Sequence, residues 1–308
     1  MDPIVLGCLA IAFAIGSNDT SNSFGICIGC GILTIKRATY LLFFLVLLGI
    51  MLGGGRVMHT VGGEIAELNW IIVGVALFLS SIAIISANII RTPVSSHHAV
   101  IASLIGSAIA LGRSVNYLTI SKIVLSWIVS PFGAMIIAAV TYLTLERLVF
   151  RLPMLKIEKL LRFLLLISGS LIAFNTGANE LATALAPAVY YGAIDAINAS
   201  FIGSVMLFIG ARTISTRVVE TVGKGITTLD PFSGFAAQFS AGLTVLIFTL
   251  IGMPISTTYC VVGAISGVGT YKGLRGVKMA LIRRIALSWV MTPLAALISS
   301  YLVTTLLI

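Results

Sequence analysis

Two carboxylates stand where carboxylates are costly. Asp19 lies in Gly16-Ser17-Asn18-Asp19-Thr20-Ser21-Asn22-Ser23, and Glu180 in Asn175-Thr176-Gly177-Ala178-Asn179-Glu180, both inside otherwise apolar sequence. An ionisable group in hydrocarbon costs about 2.5–3.5 kcal/mol or more unless something matches it. A bound Na⁺ or a proton would do so. Glycine lets a helix unwind, and asparagine can bond the freed backbone groups. Unwound backbone offers carbonyls to cations and N–H groups to anions. The chemistry on offer is cation binding at Asp19 and Glu180; the competing reading is a carboxylate that only ties two helices together.

A second pair of motifs carries hydroxyls. Thr92-Pro93-Val94-Ser95-Ser96-His97-His98 and Pro254-Ile255-Ser256-Thr257-Thr258-Tyr259 each close one apolar run and open the next. Pro suits a first helical turn, and Ser and Thr suit its cap. Two helix N-termini facing each other would aim N–H groups, hydroxyls and positive dipole ends at one point, which describes an oxyanion site. Ordinary capping explains either motif alone. His97 and His98 could bond the anion or shuttle protons, or simply pack. Arg91 is the basic residue beside these turns; it either neutralises substrate charge or marks the cytosolic side. A Ser95 or Ser96 nucleophile with His97 or His98 as base is a weak alternative, because neighbouring helical residues do not face each other.

The elements that would position these groups follow from composition. Of 308 residues 58% are apolar and 9% charged, and the mean hydropathy is +1.12. Soluble domains carry roughly 25% charge. The chain is therefore expected to be an all-α integral membrane protein in the lipid bilayer. The net charge of +9 does not indicate nucleic acid, since the basic residues cluster between apolar runs. Those runs are 3–35, 38–58, 69–90, 94–112, 118–148, 160–193, 194–214, 231–251, 256–271 and 278–306. Cys8, Cys27, Cys30 and Cys260 lie in apolar or Gly-rich stretches and read as small buried residues. Trp127 and Trp289 read as packing or interface residues, and Gln238 as a polar group that could line a cavity.

The chain is an internal repeat. Gly16-Ser17-Asn18-Asp19 matches Gly177-Ala178-Asn179-Glu180, and Pro93-Val94-Ser95-Ser96 matches Pro254-Ile255-Ser256-Thr257, both at an offset of 161. Leu125-Ser126-Trp127 with Pro131 matches Leu287-Ser288-Trp289 with Pro293 at 162. The expected organisation is a first half over 1–150, a cytosolic linker over 151–162 and a second half over 163–308, together forming one transport unit. With both termini outside, 16 of the 19 basic residues fall inside, leaving Arg56, Arg113 and Lys122 outside. Five elements per half then make the repeat inverted. The third and fourth runs of each half are read as re-entrant hairpins, because their turns are polar without being charged.

These motifs resemble the paired GAND-type signatures (16–25 and 176–187) and the paired Pro-Val-Ser-Thr-Thr-His hairpins (91–100 and 252–269) of the inorganic phosphate transporter family. The likeness covers essentially the whole chain. It implies an inverted-repeat transporter with broken helices and paired helical hairpins, a homodimer in the cell membrane, carrying inorganic phosphate with Na⁺ or H⁺. It implies no enzyme activity and no cofactor beyond the coupling ion. Asp19, Asn18, Glu180 and Asn179 would serve cation sites, with Asn22 and Asn175 beside them. Ser95, Ser96, Ser256, Thr257, Thr258 and His98 would contact phosphate, with Arg91 added as a charge partner. The chain departs from the family pattern at Glu180, where Asp is usual, and at Tyr259, where His is usual. Sulfate carried by the same mechanism, or a passive channel, are the rival functions.

Overall fold

The computed structural model describes residues 2–90, 95–149, 153–213, 231–271 and 279–308, with the backbone alone described at 18–21, 88–90, 154, 279–286 and 288. Arg91, Thr92, Pro93 and Val94 lie outside the described residues, as do the side chains of Asn18 and Asp19. The described chain is nearly all helix. The first half holds α1 (Pro3–Gly29), α2 (Ile35–Gly53), α3 (Gly55–Gly63), α4 (Trp70–Ile90), α5 (Ser96–Ala110) and α6 (Tyr117–Val149). The second holds α7 (Met154–Asn175), a π turn (Thr176–Leu181), α8 (Ala182–Tyr191), α9 (Ala196–Thr213), α10 (Pro231–Leu250), α11 (Thr257–Tyr271) and α12 (Met279–Leu306). Among the described residues seven helices are long and apolar enough to cross a membrane. Among the described residues there is one extended pairing, an antiparallel bridge of Ala66 with Val115.

The expected break in the first signature is not there. The helix α1 runs without interruption through Gly16-Ser17-Asn18-Asp19. Gly16 instead permits close packing: a Cβ there would collide with the Leu207 carbonyl of α9, and one at Gly210 with the Phe13 carbonyl of α1. The second signature does break, into the π turn. Gly177 meets the Val46 carbonyl of α2, and Gly49 meets the Phe174 carbonyl. A further break separates α2 from α3 at Gly53-Gly54-Gly55, level with Ala178 and Ala182. The glycine triplet was the available signal for it, hidden inside the apolar run 38–58.

These contacts are duplicated across the halves. Gly16 and Gly177 are 161 residues apart, as are Gly49 and Gly210. So are Gly106, pressed on Leu297 of α12, and Gly267, pressed on Met135 of α6. Every one of these close approaches joins an element of one half to an element of the other. Small residues let membrane helices approach backbone to backbone, where dispersion and weak polar contacts replace the hydrophobic effect.

The repeat-related first helices run in opposite directions. Cys27 Sγ donates to the Leu165 carbonyl at 3.3 Å, while Ser23 and Phe24, earlier in α1, sit against Gly169, later in α7. Both hairpins are short on their returning arm. At 1.5 Å per residue, the 15 residues of α5 and of α11 give about 22 Å, less than the ~30 Å hydrocarbon core. The base of the first hairpin is tied by Asn116 N to Ile65 O at 2.9 Å and by Arg113 with Glu67 at 3.5 Å. The first turn of α5 reaches the middle of the α7–π–α8 element through His97. Asp195 precedes α9, and N–H groups of Asn198 and Ile197 hold its carboxyl below the usual range.

Candidate functional site

The first turn of α5 and the second hairpin's tip converge on one residue of the π turn. Asn179 Oδ1 accepts from Ile255 N at 3.1 Å and lies 2.7 Å from His97 Nε2. Asn179 Nδ2 donates to Thr249 Oγ1 at 2.7 Å and to Met253 O at 3.1 Å. The backbone partners fix which amide atom is oxygen, since a carbonyl cannot face a carbonyl. His97 must then donate through Nε2, because Oδ1 only accepts. The amide has no lone pair or N–H to spare, so the expectation that Asn179 is a cation ligand does not fit its surroundings.

The tips also meet directly. His98 Nδ1 and Tyr259 Oη are 2.7 Å apart. The His98 ring lies on Trp127 with centroids 3.9 Å apart, and Tyr259 on Trp289 at 4.1 Å. Trp127 Nε1 donates to Pro254 O at 2.8 Å. The two tryptophans therefore flank the tips; their matching places in the repeat were the sequence signal. Arg56 donates to the Leu250 carbonyl at the end of α10. That end closes at Gly252, whose φ of 79° suits glycine.

The hydroxyls do not act as ordinary caps. Ser95 is the N-cap of α5, yet its side chain makes no capping bond. Its Oγ and Thr257 Oγ1 are buried without a hydrogen-bond partner among the described residues, as is His98 Nε2. Ser96 and Ser256 are buried beside them. Thr258 Oγ1 accepts from Asn22 Nδ2 at 3.4 Å, which brings the first signature to the second tip. First-turn N–H groups have no acceptor within their own helix. Buried orphan hydroxyls next to two such N-termini are what a tetrahedral oxyanion needs.

The carboxylate lies alongside. Glu180 is 3% exposed, and its Oε2 has no hydrogen-bond partner among the described residues. It sits within electrostatic reach of His97 and Cys260. Asn175 donates through Nδ2 to Gly242 O at 2.8 Å, leaving Oδ1 unpartnered, and Thr183 Oγ1 is unpartnered as well. Hard oxygen donors of this kind suit an alkali cation. Gln238, by contrast, is a strut: it accepts from Ser168 Oγ at 2.9 Å and donates to Ser23 O at 2.6 Å.

The fold and the site together are those of a polytopic membrane transporter. The model of the phosphate transporter family matches the chain twice, over residues 15–156 and 154–300. The chain belongs to that family, a family of transporters and not of enzymes. It is 33% identical over 297 residues to a candidate phosphate permease of Methanocaldococcus jannaschii, covering 96% of this chain and 94% of the relative. A second candidate permease, of Pyrococcus abyssi, is 29% identical and covers 97% of both chains. A solved structure named as the sodium-dependent phosphate transporter superposes with a TM-score of 0.89 at 25% identity, covering 100% of this chain and 99% of that one. The resemblance read from the motifs is thereby borne out.

Proposed function

We propose that this chain carries inorganic phosphate across the cell membrane by symport with Na⁺. The observation that supports it best is the meeting of two hairpin tips, with orphan hydroxyls at Ser95 and Thr257, beside the orphan carboxylate of Glu180. In this reading Ser95, Ser96, Ser256, Thr257, Thr258 and His98 hold the anion, and Arg91 adds charge. Glu180 and Asn175 hold one cation in the second half; Asp19, Asn18 and Asn22 serve the first. The carboxylate favours phosphate over sulfate, because it can accept the proton of a P–OH that sulfate lacks. Cation binding neutralises the buried carboxylates and so lowers the cost of bringing in a second charged species. Sliding or rocking of the hairpins against the rest of the bundle then exposes the site to either side. The termini face outward and the linker inward on the strength of the basic residues, and the unit acts as a homodimer.

The test is uptake of labelled phosphate into proteoliposomes with an inward Na⁺ gradient, against K⁺ and against a pH gradient. The expected outcome is Na⁺-stimulated uptake that excess sulfate does not inhibit and that Asp19→Asn abolishes. Uptake driven by the pH gradient alone would replace Na⁺ with H⁺. Sulfate uptake at the same rate would overturn the anion assignment.

A further inference from the structure

The cation-binding residue and the residue that holds both tips are consecutive in one π turn. Asn179 bonds four groups from three places: His97 in the first turn of α5, Met253 and Ile255 in the second tip, and Thr249 at the end of α10. Thr249 Oγ1 gives its own proton to Val245 O at 2.7 Å, so it can accept from Asn179 without conflict. Three backbone groups of the second tip, Met253 O, Pro254 O and Ile255 N, thus bond side chains of other elements, Asn179 at both ends and Trp127 in the middle, while Met253 N donates to Phe248 O at 2.9 Å. Backbone groups without secondary-structure bonds must find partners elsewhere, and here a single amide supplies two of the three. Glu180, the next residue, carries the unpartnered carboxylate oxygen.

We infer that Asn179 is a positioning residue that sets the spacing of the two hairpin tips and passes cation occupancy at Glu180 to the phosphate site. The inference rests on the symport reading above. A turn with an unneutralised carboxylate and a turn with a bound cation differ in how Glu180 is held, and Asn179 shares that backbone. Any change in the turn therefore moves both tips together. The amide is required specifically: an aspartate there would set an acceptor against the Met253 carbonyl and remove both donors, and an alanine would release all four partners.

The test separates the two ligands in purified, reconstituted protein. Na⁺ binding is measured without phosphate by ²²Na⁺ retention, and phosphate binding is measured at saturating Na⁺. For Asn179→Ala, phosphate binding is expected to weaken about tenfold or more while Na⁺ binding stays within about twofold. His97→Ala, which leaves Asn179 intact, is expected to weaken phosphate in the same direction, and the double variant no further than Asn179→Ala alone. Should Asn179→Ala fail to fold, His97→Ala and Thr249→Val make the same comparison. Loss of Na⁺ binding with phosphate affinity retained would make Asn179 a cation ligand and overturn the inference, as would additive effects in the double variant. Wild-type protein that binds no phosphate in saturating Na⁺ would instead refute the symport reading itself.

Discussion

At the scale of single residues the chemistry turns on groups left without partners. A buried hydroxyl without a hydrogen bond costs roughly 1–3 kcal/mol, so Ser95 and Thr257 are expensive unless a ligand engages them. Ser95→Ala and Thr257→Ala are therefore expected to keep or slightly raise thermal stability while weakening phosphate. Each should raise KM by about five- to tenfold, on the order of a kilocalorie per mole for one lost hydrogen bond. A fall in melting temperature with unchanged KM would assign both hydroxyls to structure. Glu180→Gln keeps shape but not charge, and Na⁺ stimulation of uptake is expected to vanish; retention of full stimulation would remove Glu180 from the cation site. The types of these residues were legible in the sequence because a carboxylate in an apolar run has few other reasons to exist. The role of Asn179, named as a cation ligand, was not: its neighbours in space come from α5, α10 and the second tip, up to 82 residues away, and its character as donor and acceptor to all of them depends on that packing.

At the scale of elements, glycine was the ambiguous letter. It permits unwinding and it permits close approach, and Gly16 alone does not say which. Nor does the packing partner say which. Gly16 faces a backbone carbonyl of α9 and its helix stays whole; Gly177 faces a carbonyl of α2, and a π turn forms there as well. The glycines at 49, 106, 210 and 267 carry the same offset as the named motifs, so the cross-half packing was present in the repeat although not read from it. Gly16→Ala or Gly210→Ala places a methyl group against backbone that cannot yield. The expected loss is about 1–3 kcal/mol or more, seen as a lower melting temperature in detergent. Gly74→Ala is the contrasting case. It lies within α4 with nothing in the path of a Cβ, and should be neutral or stabilising by up to about 1 kcal/mol. Equal losses at both kinds of site would mean that close approach is not what these glycines provide. Trp127→Phe keeps the ring beside His98 but drops the N–H to Pro254. Slower uptake with unchanged Na⁺ dependence is expected.

At the scale of the whole molecule, the membrane class and the paired hairpins were legible, because composition gave the first and the repeated motifs gave the second. Relative placement was not, since helices of each half press closely on helices of the other: α1 on α9, α2 on the π turn, α5 on α12, α6 on α11. The consequence concerns how such a chain is made. When the first half has left the ribosome, the faces at Gly16, Gly49 and Gly106 still wait for helices that have not been synthesised. The early product must sit in the bilayer with open grooves, exposed to lipid and to membrane proteases, until translation delivers its complement. Expressed alone, residues 1–150 or 151–308 should be cleared from the membrane fraction, and co-expression of the two should restore both abundance and uptake. A first half that accumulated alone as a monodisperse species would show that the grooves close without the second. The interlocking thus makes quality control part of the design: a truncated message leaves no half-functional pore, only a fragment with its binding faces bare.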